Sequence, residues 1–505
     1  MNLQPVIIPR AQHALSRTWI SPNALRVLYR LRECGYRSYL VGGGVRDLLL
    51  GREPKDFDIA TDAPPNEIKK VFRNCRLIGR RFRLAHIHFH DEIIEVATFR
   101  SNVTDEEPAA EAPPATAAAP EPAAASEPCQ ADVAVSEPPD SSASSAVKND
   151  GAPPDRPRPP RMLKTEDGMI LRDNIFGTPE QDALRRDFTV NALFYNIADF
   201  SVIDYVNGMD DLKHGLIRII GDPAVRFTED PVRMVRAVRF AAMLGFTIEE
   251  RTLQALLELR DRVALASNAR MYEEVQKLFL LGEGEKVYQM LRTTGLFGVL
   301  FPHVNAWLDT EEEGFPHIRV GKALEWVDVC VQAGRKVDPS VLFSLMFGQY
   351  IEDKWKRFRE AGMIPLEALD KAVAEFLWEH AQRVQIPKRV GLAIRDILWN
   401  QGRFEKRVGR HPLYFLHRPG FREAFEYLRF TSELTGERME LRTWWKGFIR
   451  EHAVPAAGER PGVSVLQPQK PEDRKKPEGR GRRRRRRGGR PRPAGPKPQT
   501  PNEKA

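Results

Sequence analysis

Apolar residues first fall into register at Leu25, Leu28 and Leu31, a helical spacing. They predict a helix from Ser21, with Ser21 as its cap, Pro22 in its first position and Gly35 at its end. Residues 1–20 carry little pattern. A short apolar strand runs to Val41. The stretch Leu40 to Asp58, LVGGGVRDLLLGREPKDFD, then reads as strand, glycine turn, amphipathic turn of helix, and a second strand carrying Asp56 and Asp58. Pro65 to Arg73 predicts a short helix. Cys75 to Arg100 alternates as two strands joined near Asp91 and Glu92, with His86, His88 and His90 on one face. In LRDNIFGTPEQDALRRDFTVNALFYN, Arg185, Arg186 and Asp187 precede a helix whose core face is Val190, Leu193 and Phe194. Residues 202–221 predict a β-hairpin and turn-rich chain, with Asn207-Gly208 as the turn signal. Glu229 to Gly245, EDPVRMVRAVRFAAMLG, predicts a helix capped by Asp230, with Pro231 in first position and Gly245 at its end. Its Val232, Val235, Ala242 and Met243 can bury, and Arg233 and Arg236 share a face. From Glu249 to about Arg450 the period is helical, punctuated by Gly and Pro. Trp444 and Trp445 there read as core or interface residues.

Composition adds two segments that fit neither period. Thr104 to Arg161 is dominated by Ala, Pro, Glu and Ser, and holds 11 Asp/Glu against 4 Lys/Arg. Such a segment buries too little apolar surface to offset chain entropy and is expected to be disordered. A long insertion in an exposed loop costs little stability, so it is expected to be tolerated. From Pro455 the chain is rich in Pro, Arg and Lys. Residues 470–505 hold 15 Lys/Arg against 4 Asp/Glu, including the run Arg482, Arg483, Arg484, Arg485, Arg486 and Arg487. The net charge of +9 is therefore concentrated in a cationic end that suits a polyanionic partner.

The 505 residues suffice for two or three domains. Cys34, Cys75, Cys129 and Cys330 are scattered, which argues against a disulfide or zinc framework and fits a reducing, cytoplasmic setting. No run reaches the roughly 18 apolar residues that span a membrane.

The chemistry concentrates in Leu40 to Asp58. Gly42, Gly43 and Gly44 present no side chains, so a phosphate can approach the backbone N–H groups, with Arg46 in reach of the same anion. Asp56 and Asp58, two apart on a strand, point the same way. Carboxylates that close repel unless a cation lies between them, and Mg²⁺ takes such a pair with substrate phosphates completing its shell. Glu95 is either a third member of that set or a surface glutamate. The three histidines read as a metal set or, given Mg²⁺'s preference for oxygen, as a polar sheet face.

GGxVRD followed by DxD resembles the signature of the bacterial tRNA nucleotidyltransferase and poly(A) polymerase superfamily. RRDFTVNAL and EDPxRxxR match two further motifs. The resemblance implies Arg186 near the nucleotide and Asp187 at the active site. It implies Glu229, Asp230 and Arg233 reading the base edge, and Arg236 helping to hold the phosphates. Asp56 and Asp58 would hold two Mg²⁺ ions, with Glu95 as a possible further ligand, and Gly42, Gly43 and Arg46 would bind the triphosphate. The segment LIGRRFRLAHIHF at 77–89 and the arginine-rich end resemble bacterial poly(A) polymerases more than CCA-adding enzymes. The implied activity is adenylyl transfer from ATP to RNA 3′ ends. A CCA-adding enzyme or a catalytically silent RNA-binding protein are the alternatives.

The expected fold is α+β: a nucleotidyltransferase head with a small mixed sheet, then an all-α neck, body and tail. The head is placed at 21–103 and 162–222, split by the insert at 104–161. The neck is placed at 223–285, a helical RNA-binding body at 286–454 and the RNA-binding tail at 455–505. Expected partners are RNA 3′ ends, ATP and RNA-decay proteins, with neither membrane nor DNA.

Overall fold

The computed structural model describes residues 4–79, 83–101, 163–164, 170–172, 176–310 and 316–452. The expectations for the insert and for the basic tail, including Arg482 to Arg487, lie outside the described residues.

The α+β expectation holds: a mixed sheet with helices is followed by a largely helical region. The chain opens with β1 (Val6–Ile8), which residues 1–20 gave no reason to expect. Next come α1 (Pro22–Glu33), β2 (Ser38–Val41), α2 (Gly43–Leu49), β3 (Asp58–Thr61), α3 (Pro65–Val71), β4 (Cys75–Ile78), β5 (Leu84–His88) and β6 (Ile93–Thr98). The short pair β7 (Leu163–Lys164) and β8 (Ile170–Arg172) precedes α4 (Pro179–Arg185), β9 (Leu193–Asn196), β10 (Val202–Asp204), α5 (Gly208–His214) and β11 (Leu216–Ile217). Then follow α6 (Pro223–Glu229), α7 (Val232–Leu244), β12 (Thr247–Ile248), α8 (Glu250–Leu259) and α9 (Asn268–Phe279). Ten further helices occupy the described residues from Gly284 to His452.

The main sheet has eight strands in the order β1-β10-β9-β2-β3-β6-β5-β4. Only β3 and β6 pair in parallel; every other neighbouring pair is antiparallel. Alternation along the strands divides two cores. Leu40, Ile59, Ile87 and Val96 face α1, through Ala24, Val27, Leu28 and Leu31. Val41, Ala60, Phe99 and Phe194 form a smaller core with Ala183 of α4 on the opposite side.

Several sequence expectations are corrected. Cys75 to Arg100 forms three strands rather than two, and His90 falls in the turn after β5, leaving only His86 and His88 on the strand. Asp56 precedes β3, so only Asp58 of the pair is a strand residue. The segment after Asp187 is a 3₁₀ turn (Thr189–Asn191) and β9, not a helix. Leu193, Phe194 and Tyr195 are fully buried because β9 lies between β2 and β10 and is covered on both faces. Such a strand shows no alternation and passes for a helical segment. Asn207-Gly208 starts α5, with Asn207 left-handed at φ 62°, rather than closing a hairpin. The helix predicted over Glu229–Gly245 forms as α7 and ends at Gly245, but it starts at Val232 with Pro231 as its cap; Asp230 is instead the C-cap of the preceding α6.

Candidate active site

β2 ends at Val41 and the chain turns at Gly42 with φ 76° and ψ −143°, a conformation open essentially to glycine alone. A Cβ there would lie 3.3 Å from Arg186 Nη1 and 3.7 Å from Asp58 Oδ2. The bare turn thus sits directly beneath a guanidinium and a carboxylate. Arg46, one turn into α2, is only 5% exposed. Its Nε donates to Asp47 Oδ1 at 2.8 Å and its Nη1 to Asn191 Oδ1 at 2.6 Å.

Register brings the acids together. Asp58 faces Glu95 across the parallel pair, and Glu95 faces His86 on β5. His86 Nε2 is 3.3 Å from Glu95 Oε2. Burial, then the Glu95 charge, push the Asp58 carboxyl up to about 6; Arg186 opposes this and Asp56 adds to it. Among the described residues, no three His, Cys, Asp or Glu side chains are gathered into a group that could hold a metal ion unaided. The donor set nevertheless suits Mg²⁺: oxygen ligands with surplus negative charge, beside a backbone open to substrate phosphates that would complete the shell.

Asp187 lies at the centre of a second cluster. Arg236 Nε donates to Asp187 Oδ2 at 2.8 Å, and its Nη2 bonds the same oxygen. Asn191 Nδ2 and the Phe188 amide reach Oδ1 at 3.2 and 2.9 Å. Burial alone would raise this carboxyl, but Arg236 and these hydrogen bonds outweigh it and hold Asp187 well below the usual carboxylate range. Arg46, Arg236 and Arg239 all pack on the Phe240 ring, at 5.2, 5.1 and 4.3 Å from its centroid. Asn191 touches both Arg46 and Asp187, so it links the glycine turn to α7.

The joint between α6 and α7 carries the remaining candidates. Glu229 accepts from Arg226 at 3.0 Å and lies 3.5 Å from Arg233. Arg233 also donates to the Arg226 carbonyl at 2.9 Å. Asp230 takes both bonds of Arg270, from α9, at 2.9 Å each. Arg186 is held by Asp182 of α4 at 3.0 Å.

Comparison with known proteins decides what this arrangement belongs to. The Poly A polymerase head domain family matches residues 38–218. The family described as a probable RNA and SrmB-binding site of polymerase A matches 245–308, and the polymerase A arginine-rich C-terminus matches 361–490. The chain is 41% identical to Poly(A) polymerase I of Salmonella typhi over 88% of its own length and 85% of the relative's. The chain belongs to the bacterial poly(A) polymerase I family. It is a nucleotidyltransferase that uses nucleoside triphosphates and binds RNA. CCA-adding enzymes are more distant: that of Lactobacillus johnsonii is 32% identical over 54% of each chain. The fold is nonetheless shared with them. A CCA-adding enzyme in its apo form II aligns with TM-score 0.53 at 19% identity, over 90% of this chain and 89% of that one.

Within this family frame, the candidates from Gly42 to Arg236 fall into three groups: the glycine turn with the sheet carboxylates, the Asp187–Arg236 cluster, and the joint between α6 and α7. Sequence reasoning missed Asp182, Asn191, Arg226, Arg270 and Glu274. Arg226 spans from α6 to the carbonyls of Arg185 and Arg186, at 2.7 Å each. Glu274 of α9, 4% exposed, lies 3.8 Å from Arg236 and 3.4 Å from Arg239. Asn191 was within reach of a sequence argument, since it stands four residues beyond Asp187. Asp182 also pairs locally, four residues before Arg186, whereas Arg226, Arg270 and Glu274 are identified by partners far away in the sequence.

Proposed function

We propose that this site adds AMP from ATP to RNA 3′ ends without a nucleic-acid template, releasing pyrophosphate. The reading rests on the raised Asp58 carboxyl in register with Glu95, directly above a glycine turn with no side chain. Asp56 and Asp58, with Glu95 beside them, would hold two Mg²⁺ ions. Bound there, the ions would supply Lewis acidity to the 3′-hydroxyl and the departing pyrophosphate. Gly42 and Gly43 let the triphosphate approach the backbone, with the buried charge of Arg46 behind them and Arg186 above. Asp187 remains ionised at neutral pH, so it acts as a hydrogen-bond acceptor and anchor for Arg236 rather than as a proton shuttle. Arg236 contributes positive charge on the phosphate side of that pair.

Glu229, Asp230 and Arg233 present carboxylate and guanidinium edges to the incoming base. Arg226 and Arg270 fix those edges, so one base shape is selected by rigid groups. RNA-decay proteins are the expected protein partners, in the cytosol.

Substituting Asp58→Asn tests the reading. Extension of a generic RNA by ATP should be abolished while RNA affinity stays near wild type, and full activity in that variant would refute the assignment. Supplying ATP or CTP with a generic RNA or a tRNA lacking CCA tests the substrate. Long ATP-only tails are expected, and C-C-A addition restricted to the tRNA would point to the CCA-adding activity instead.

A further inference from the structure

The chain between Phe404 and Phe425 divides its side chains in two. Phe404, Phe415 and Phe421 are buried in a cluster with Trp445, whose indole N–H donates to the Phe404 carbonyl at 2.9 Å. Phe415 packs 4.9 Å from Phe404 and 5.0 Å from Phe421, ring centre to ring centre. Between these anchors, with Pro412 also buried, most of the remaining side chains turn outward. Lys406, Arg407, Arg410, Arg418 and Arg422 are all exposed, and Tyr414 is 69% exposed among them. The neighbouring carboxylate Glu405 is taken by Arg438 at 2.9 Å. Among the described residues, none of the five cations enters an ion pair.

Five unneutralised cations on so short a segment repel one another, and they contribute nothing to the aromatic core that holds the segment in place. Their arrangement suits a polyanion. An acidic protein would be met by the charges alone. Single-stranded RNA also brings flat, unpaired bases, and an exposed tyrosine ring among arginines is the surface on which such bases stack. Because the aromatic anchors fix the segment, little ordering cost accompanies binding.

We propose that the surface formed by Lys406, Arg407, Arg410, Tyr414, Arg418 and Arg422 is a second RNA-binding surface, holding single-stranded RNA upstream of the 3′ end that reacts. The inference rests on the reading of RNA as substrate. The test uses the full chain carrying Arg407→Ala, Arg410→Ala, Arg418→Ala and Arg422→Ala together, with Tyr414→Ala and Tyr414→Phe made separately. Each is given ATP with a trinucleotide primer or a long oligoadenylate. The KM for the long primer should rise about tenfold or more in the four-arginine variant, with kcat and the trinucleotide KM unchanged. Its log affinity should fall less steeply with log salt, by about 0.7 for each phosphate that the variant no longer neutralises. Tyr414→Ala should weaken long-primer binding about tenfold and Tyr414→Phe should preserve it, because stacking needs the ring and not the hydroxyl. An unchanged KM and salt slope in the four-arginine variant overturns the proposal and leaves the surface to an acidic protein. An equal loss on the trinucleotide also overturns it, since the defect would then lie in the fold. If the wild-type chain extends neither primer, the adenylyl-transfer reading is what fails. Fluorescence anisotropy of the long oligoadenylate on the same variants then decides the surface separately.

Discussion

At the scale of single residues, two carboxylates of opposite character carry the site. Asp58 is raised to about 6 by burial and by Glu95, so its protonated form is favoured below that value. The ionised form, which a cation needs, is lost as pH falls through about 6. kcat/KM for ATP should therefore show an acid limb near pH 6. Glu95→Gln should move that limb to lower pH, because the like charge that raises Asp58 is gone; a pH–rate profile of both proteins checks this. Asp187 is the reverse case. Its folded value lies below the unfolded one, so its contribution to stability is present above the usual carboxylate range and is lost as pH falls through the folded value. Arg236→Ala strands that carboxylate with neither its charge partner nor its two strongest bonds. A loss of about 3–5 kcal/mol in urea unfolding is expected, together with severe loss of activity. The acids and the glycines could be found in the sequence because their chemistry is local. Arg226, Arg270 and Glu274 could not, since a lone Arg or Glu has no pattern until a partner from another element is placed beside it.

At the scale of elements, pattern succeeded at α1, where one face is wet. The α1 helix begins with Ser21 accepting from the Asn23 and Ala24 amides, and its buried face is Ala24, Val27, Leu28 and Leu31. The pattern failed at β9, where both faces are covered and alternation disappears. It failed again at Asn207-Gly208, a pair with two structural uses. There the hairpin chemistry lost to packing: a Cβ on Gly208 would fall well inside contact distance of the Thr189 carbonyl oxygen. That close approach predicts a measurable defect. Gly208→Ala should press α5 away from the 3₁₀ turn that carries Asn191, lowering the thermal midpoint and activity together. An unchanged melting curve would show that the turn can yield. Gly42→Ala acts differently, because its backbone conformation is strained for any side chain and the added methyl meets Arg186. The expected result is lost turnover with a smaller loss of stability, read from paired kinetic and melting measurements.

At the scale of the whole molecule, charge and catalysis are separated along the chain. The carboxylates meet on the sheet, whereas positive charge accumulates beyond residue 470. Truncating residues 470–505 should weaken RNA binding and flatten its dependence on salt, because arginine–phosphate contacts release counterions whatever the sequence. A binding series in rising salt checks this, and an identical slope in the truncated chain would count against it. What the order of amino acids alone decides is the kind of chemistry: bare glycines, closely spaced acids, helical spacing of apolar residues and the sign of charge are properties of neighbours. What required the folded chain is which of those groups meet. Asp58 reaches Glu95 through the register of β3 on β6, and Asp187 reaches Arg236 through α7. Each of these pairs is dozens of residues apart in the chain, and only cooperative burial of a shared core selects one such pairing from the many that local pattern allows.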